Sequence, residues 1–517
     1  MRKKILIMLS MVLIMFVSIT ISYADNPIVQ TIYTADPAPL VYNDTVYLYT
    51  GHDEDNATGF LMKDYRCFTT TDMVNWTDHG IAMFVTAFSW ASQVDSANAA
   101  QVIYRNGKFY YYAALSGGNI GVGVSTSPTG PFTDALGHPL IYHRDTDFPG
   151  YATHGWRNLD PTVFIDDDGQ AYMYWGNNAL YYVKLNSDMI SYSGPITYFP
   201  LTTAAFGDDY EEAPWLYKRN GLYYLAFASF IPERICYSTS ASPTGPWTYR
   251  GVIMNAQSDC AGNHPGIIDY KGNSYLFGFN RALLRLTSTE NYERRSVCVD
   301  KFTYNADGTI PTLPSWSTSG PPQIGTLNPY VRTEAETICW ETGVETEKCS
   351  EGGMNVSNIE NGDWIKVKGV NFGSGATSFE ARVATATSGG NIEIRLDSPT
   401  GTLVGTCAVS GTGGWQTWVT RSCTISGASG IHDLYFRFTG GSGSLFNFNW
   451  WKFYGSGITP SVTPTPAPTT GPRSAFSQIE AESYNSQSGV QTESCGEGGQ
   501  NIGYIENGDY VVYNNVD

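Results

Sequence analysis

The chain has 517 residues, more than a single hydrophobic core organises, so two or three domains are expected. Its formal charge of −18, from 48 acidic and 30 basic residues with no Lys/Arg-rich run, argues against nucleic acid as a partner. Aromatic residues at 14% suit stacking on sugar rings and strand-rich architecture alike, so composition does not separate those two readings.

The chain opens with Arg2, Lys3 and Lys4, followed by an apolar run from Ile5 to about Ile21 and by Ser22-Tyr23-Ala24. This order reads as an export signal over residues 1–24, cleaved after Ala24. No other segment is long and apolar enough to span a bilayer, so a secreted protein free of the membrane after cleavage is expected. Nine cysteines permit disulfides in such a protein; Cys339/Cys349 and Cys407/Cys423 are close enough in sequence to pair, and no CxxC spacing supports zinc.

Residues 25–325 carry five segments of one shape, beginning at Asp36, Asn98, Asp160, Glu212 and His264. In each, an apolar strand runs to a turn containing Asn-Asp, Asn-Gly, Asp-Gly or Gly-Asn, and an aromatic strand returns. The spacing of about 50 to 60 residues is the size of a propeller blade. Ser125-Thr-Ser-Pro-Thr-Gly-Pro-Phe and Ser240-Ala-Ser-Pro-Thr-Gly-Pro-Trp echo one another as outer-strand segments. A five-bladed β-propeller is therefore expected, with the residue that opens each segment facing one shared channel.

A second boundary lies near Pro321 to Tyr330. Beyond it, Glu334-Ala-Glu recurs as Glu480-Ala-Glu, and Cys349 to Val367 recurs as Cys495 to Tyr513, both at an offset of 146 residues. One whole module over 331–455, a Pro/Thr linker over 456–474 and the opening of a second module over 475–517 are expected, the chain being a piece of a longer protein.

Three of the five segment starts are acids: Asp36, Asp160 and Glu212. Singly, Asp before Pro is a common turn starter and Glu211-Glu212 a common solvated pair. Together, in one register, they crowd three carboxylates into one pocket, an electrostatic cost that function often explains. Glycoside hydrolysis needs this inventory: one carboxylic acid to protonate the leaving oxygen, and one carboxylate to activate water or attack the sugar.

The Asp36-Pro-Ala-Pro, Asp160-Pro-Thr-Val-Phe-Ile-Asp-Asp-Asp-Gly and Glu212-Ala-Pro-Trp segments resemble glycoside hydrolase family 43, and within it the arabinoxylan arabinofuranohydrolases. Cys260-Ala-Gly-Asn-His-Pro-Gly and Arg295-Ser-Val-Cys-Val-Asp add to the likeness, which spans roughly residues 28–311. The resemblance implies an inverting hydrolase that removes α-L-arabinofuranosyl groups from arabinoxylan. Asp36 would be the general base, Glu212 the general acid and Asp160 the residue that tunes and orients it. It also implies that His264 holds a calcium ion, largely through water. Arg295 would reach the pocket floor, and Trp90 and Trp156 are candidate sugar platforms.

Glu334-Ala-Glu, Asn361-Gly-Asp-Trp, Gly414-Trp-Gln-Thr-Trp and Asn447-Phe-Asn-Trp-Trp resemble a family 6 carbohydrate-binding module, a β-sandwich. That likeness implies that Trp364 and Trp415 sandwich a sugar ring, that Asn447 bonds its hydroxyls, and that Glu334 and Glu336 ligate structural calcium. Position 449 is Asn where many relatives carry Asp. A monomer without organic cofactor is expected. A β-xylosidase, endo-arabinanase or endo-xylanase on the same scaffold is the alternative enzyme, and a non-catalytic polysaccharide-binding protein the alternative class.

Overall fold

A computed structural model describes residues 26–455 apart from 94, 116, 149–153, 258–259 and 261–262. Beyond these it describes 481, 486–488, 490–494, 500–503 and 510–513. The export signal and the Pro/Thr linker lie outside the described residues, as does most of 475–517. The regular secondary structure of the described residues is almost entirely strand, as expected.

Five antiparallel sheets follow one another in sequence. The first has β1 (Tyr33–Tyr42), β2 (Thr45–Asp53), β3 (Met62–Thr70) and β4 (Trp76–Phe84). The second has β5 (Ala97–Arg105), β6 (Lys108–Leu115), β7 (Asn119–Ser125) and β8 (Thr133–Asp134). The third has β9 (Thr162–Ile165), β10 (Ala171–Trp175), β11 (Leu180–Leu185) and β12 (Tyr192–Phe199). The fourth has β13 (Glu212–Arg219), β14 (Leu222–Ser229), β15 (Arg234–Ser240) and β16 (Thr248–Met254). The fifth has β17 (Gly266–Tyr270), β18 (Asn273–Asn280) and β19 (Ser296–Phe302). Their first strands neighbour one another in a closed ring: β1 with β5, β5 with β9, β9 with β13, β13 with β17, and β17 with β1.

The turns explain the hairpins. Asn43-Asp44, Asn106-Gly107 and Asn220-Gly221 all have positive φ at both positions, the backbone that suits a two-residue hairpin turn. In the fifth hairpin the positive pair is Lys271-Gly272 (φ 45° and 76°), one residue earlier than the Gly-Asn expected from sequence. A lysine tolerates this conformation because its neighbour is the glycine that completes the turn. The two Ser-x-Ser-Pro-Thr-Gly-Pro echoes adopt one hydrogen-bond pattern. Ser127 Oγ meets Thr129 Oγ1 at 3.0 Å and Ser242 Oγ meets Thr244 Oγ1 at 3.1 Å.

The core lies between facing sheets. Tyr112, Val122, Met173 and Tyr181 join the second sheet to the third, and Tyr174, Leu216, Leu225 and Phe227 join the third to the fourth. Val46, Leu48, Phe68, Tyr275, Phe277 and Val299 join the first to the fifth. Each such buried side chain contributes roughly 1.5–3 kcal/mol by leaving water.

The next module is a sandwich of two sheets. Short strands β20 (Thr333–Glu334), β21 (Thr337–Ile338) and β22 (Trp340–Thr342) open it. They are followed by β23 (Glu345–Lys348), β24 (Met354–Ser357), β25 (Trp364–Asn371), β26 (Ser378–Thr385) and β27 (Gly390–Leu396). β28 (Thr402–Val409), β29 (Gly414–Thr424), β30 (Ile431–Gly440) and β31 (Asn447–Tyr454) complete it. One sheet runs β23-β24-β31-β26-β29 and the other β22-β25-β30-β27-β28, around a core that includes Phe379, Phe436, Phe448 and Trp451. Cys407 and Cys423 are free thiols here rather than a disulfide.

This module is not a bead on a string. β21 pairs with β4 and so extends the first sheet to five strands. Asn75 donates to the Lys368 carbonyl at 3.0 Å and accepts from the Lys368 N–H at 2.8 Å. Thr346 donates to Asp78 at 2.6 Å, and Gln323 donates to Asp72 at 3.0 Å. An exposed edge strand is thereby covered. The C-terminal unit, described by itself, holds two short antiparallel pairings: 486–488 with 510–512, and 491–494 with 500–503.

Candidate active site

All five segment starts, Asp36, Asn98, Asp160, Glu212 and His264 among them, line one cavity of about 790 Å³. The backbone does the aiming. The ladders of β1, β5 and β13 each carry a register shift near the start: between Ala35 and Ala38, Ala97 and Ala100, and Glu212 and Trp215. Asp36 and Asp160 have φ of 52° and 60°, and Ala213 has φ of 57°. Non-glycine residues rarely adopt this left-handed backbone, and bulges of this kind re-aim side chains beside active sites.

Asp36 is buried and accepts a 2.8 Å bond from Arg295 Nη1. Arg295 is itself fixed by Asp53, to which it donates from Nε at 3.0 Å and from Nη2 at 2.9 Å. The guanidinium therefore joins the first-sheet acid to a second, fully buried carboxylate. His264 Nδ1 lies 3.9 Å from Asp36 Oδ1. Burial pushes the His264 imidazole down to about 4, so at neutral pH the ring is uncharged.

Asp160 is buried, and burial, then the neighbouring Glu212 and Asp36, push its carboxyl well above the usual range. Its Oδ2 accepts the Ala213 N–H at 2.9 Å. Glu212 is also raised, chiefly by burial, while a 2.5 Å bond from Asn177 Nδ2 to its Oε2 opposes the shift. The carboxylates thus form a coupled set in which a proton is retained.

The two candidate platform tryptophans separate. Trp156, 60% exposed, stands on the cavity wall with exposed Phe60 and Ile231. Trp90 is not among the lining residues; its Nε1 donates to Asp134 at 2.8 Å and its ring packs on Phe88. In this structure Trp90 packs against the core of the first two sheets with its N–H satisfied by Asp134. Sequence reasoning missed Asn177 and Glu233, which sit on return loops outside the repeated segment starts, and Phe60 and Ile231 on the rim.

The sandwich carries a separate cleft of about 660 Å³ lined by Trp415, Gln416, Asn447, Glu347 and Asn358. Asn447 donates to Glu347 at 2.6 Å and to the Trp415 carbonyl at 2.9 Å. Trp364 is not among the lining residues: it lies on the other sheet and packs against Tyr435. The expected sandwich of one ring between Trp364 and Trp415 is therefore corrected, since their strands belong to different sheets. The turn that does reach the cleft presents Asn358, whose counterpart at the 146 offset is Tyr504.

Comparison with known proteins agrees with this geometry. The model for glycosyl hydrolases family 43 matches residues 24–310, and that for carbohydrate binding module family 6 matches 334–455 and 480–517. An arabinoxylan arabinofuranohydrolase of Bacillus subtilis (strain 168) is 37% identical over 83% of this chain and 92% of its own. One of Paenibacillus polymyxa is 34% identical over 94% of this chain and 81% of its own. The crystal structure of a Bacillus subtilis family 43 arabinoxylan arabinofuranohydrolase in complex with cellotetraose superposes with a TM-score of 0.73. That match has 35% identity and covers 84% of this chain and 99% of that one. A β-propeller bearing three channel carboxylates, joined to a β-sandwich with an aromatic cleft, belongs to glycoside hydrolase family 43 and carries a family 6 carbohydrate-binding module, and the chain is a glycoside hydrolase.

Proposed function

We propose that this chain removes α-L-arabinofuranosyl side chains from arabinoxylan with inversion of configuration. The observation that carries the reading is the convergence of Asp36, Asp160 and Glu212 on one cavity, with Asp36 alone paired to a guanidinium. The ion pair with Arg295 suits Asp36 to the ionised role, a general base that takes a proton from water. Burial suits Glu212 to the protonated role, giving its proton to the leaving oxygen. Asp160 binds the backbone N–H next to Glu212 and so orients the acid, and as a carboxyl of the same proton-sharing set it tunes when that acid lets its proton go. The five sheets read as five blades, their ring of first strands forming the channel wall. The two named relatives act on arabinoxylan, and the cleft at Trp415 suits a polymeric substrate.

The N-terminal basic and apolar run supports export, with residues 1–24 removed, and a propeller over 25–325, a binding module over 331–455, a linker over 456–474 and a second module repeat from 475 onward divide the rest. Calcium fits two places. The buried oxygens Glu336 Oε2 and Asn449 Oδ1 have no hydrogen-bond partner, and the Glu334–Trp450 and Ala335–Asn449 backbone contacts bring their strands together. Glu336, Asn449 and Glu334 would hold the ion there, and Ca²⁺ would supply a structural cross-link between β20 and β31. His264 keeps a neutral ring nitrogen, which would anchor a largely hydrated ion at the channel.

The test is release of arabinose from wheat arabinoxylan by the whole chain and by Asp36→Ala and Glu212→Ala. Each variant is expected to lose at least ~10²-fold in kcat. Full activity in either would overturn the assignment.

A further inference from the structure

One buried carboxylate in the cavity has no place in the scheme above. Glu233 follows β14 on the loop Phe230–Glu233, outside the five repeated starts, and is only 5% exposed. It lines the same cavity, its Oε2 accepts the Asn263 N–H at 2.5 Å, and its carboxyl lies within reach of that of Glu212. Two carboxyl groups bond only if one carries the proton. An oxygen that accepts an amide N–H leaves the other oxygen of Glu233 as the donor.

We propose that Glu233 is a positioning residue for the acid: held protonated, it donates its O–H to Glu212 and steadies the carboxylate that Glu212 becomes. As the glycosidic bond breaks, its electron pair goes to the leaving oxygen, which takes the Glu212 proton. The negative charge then rests on Glu212, where the Glu233 O–H and the Asn177 N–H both meet it. Without the first donor, a buried Glu212 holds its proton too tightly. The surroundings favour a neutral Glu233. Burial comes first and Glu212 second among the causes that push its carboxyl well up, and Asp160 adds to them. Asp36, Glu211 and Glu293 are the other acids on the cavity wall. The cations are elsewhere: Arg295 is committed to Asp36 and Asp53, Arg234 lies over Phe230 and bonds Ser229, and His264 is uncharged.

The inference rests on Glu212 being the acid, and the experiment separates the two. Wild type, Glu212→Ala, Glu233→Leu and Glu233→Gln are assayed as whole chains on arabinoxylan and on 4-nitrophenyl arabinofuranoside, whose leaving group needs little protonation. Thermal melts check folding. For Glu233→Leu, kcat on arabinoxylan is expected to fall ~10–100-fold, with a smaller loss on the aryl substrate. The basic limb of its pH profile should move to higher pH. Glu233→Gln, whose amide keeps one donor and one acceptor in place, is expected to recover at least tenfold of the arabinoxylan loss. A folded Glu233→Gln as impaired as Glu233→Leu would overturn the proposal, as would a Glu233→Leu that keeps the wild-type rate and limb. If Glu233→Leu fails to fold, Glu233→Gln alone decides, by whether it keeps more than a tenth of the wild-type rate. If Glu212→Ala loses equally on both substrates, it is the assignment of Glu212 that fails. Selective loss in Glu212→Ala without any in Glu233→Leu would overturn the role of Glu233 alone.

Discussion

The Ala213 N–H is bonded to Asp160 Oδ2 at 2.9 Å, so the residue after Glu212 on the fourth sheet is held by the acid that opens the third. The two carboxyl groups cannot shift independently. Asp160→Asn keeps an acceptor for Ala213 but removes one carboxyl from the set that shares the retained proton, so the last proton no longer leaves a second like charge behind. Glu212 then releases its proton more readily, and the basic limb of the kcat profile is expected to move to lower pH. A loss of kcat on the order of 10²-fold should accompany it. The pH–rate profile measures both, and a limb at the wild-type position would count against the tuning role.

The Asn75–Lys368 pair predicts that the hydrolase and its first binding module unfold together. Asn75→Ala removes the donor-acceptor side chain that meets the buried Lys368 N–H and shares its C=O with Gln323, and is expected to cost about 1–3 kcal/mol in denaturant unfolding. A neutral substitution would mean that water replaces the side chain. It follows that deleting residues 331 onward is a poor test of the module, because β4 loses its partner β21.

Glu341 in the module is pushed up to about 7, first by burial and then by Glu345 and Asp363, against the opposing Val344 N–H. A carboxyl with a raised folded-state value binds more protons folded than unfolded between pH ~4.5 and 7. Stability is therefore lost as pH rises through that window. Glu341→Gln should leave stability near wild type below pH 4.5 and raise it by about 1–2 kcal/mol at pH 8, after discounting for solvent screening. Urea melts at the two pH values read the difference, and an equal effect at both would refute the assignment.

The two tryptophans of the module make opposite predictions. Trp415→Ala, in the cleft, is expected to weaken xylan retention at least tenfold while hydrolysis of the aryl substrate is unchanged. Trp364→Ala, packed on Tyr435, should lower the melting temperature more than it lowers affinity. Affinity electrophoresis on xylan separates them.

The segment starts were legible because a repeat imposes a common register. Once five hairpins share one period, a polar residue at the same place in each must meet the others at the axis, and Asp36, Asp160, Glu212 and His264 do. Arg295 was legible only through family likeness. Residues outside the register were not legible: Glu233 and Asn177 reach the cavity from loops whose course no periodicity dictates. Trp364 misled because an aromatic retained as Tyr510 in the second copy signals a common environment, and packing on a sheet is as common an environment as a sugar platform. The blade-to-module contact was invisible for a related reason, since Asn75 and Lys368 are 293 residues apart and carry no pattern.

The central claim is tested most directly by proton NMR of the sugar released from wheat arabinoxylan in the first minutes of digestion. The expected result is β-arabinofuranose ahead of mutarotation, which establishes both the side-chain specificity and inversion. Release of α-arabinofuranose first, or of xylose or xylo-oligosaccharides in place of arabinose, would contradict it.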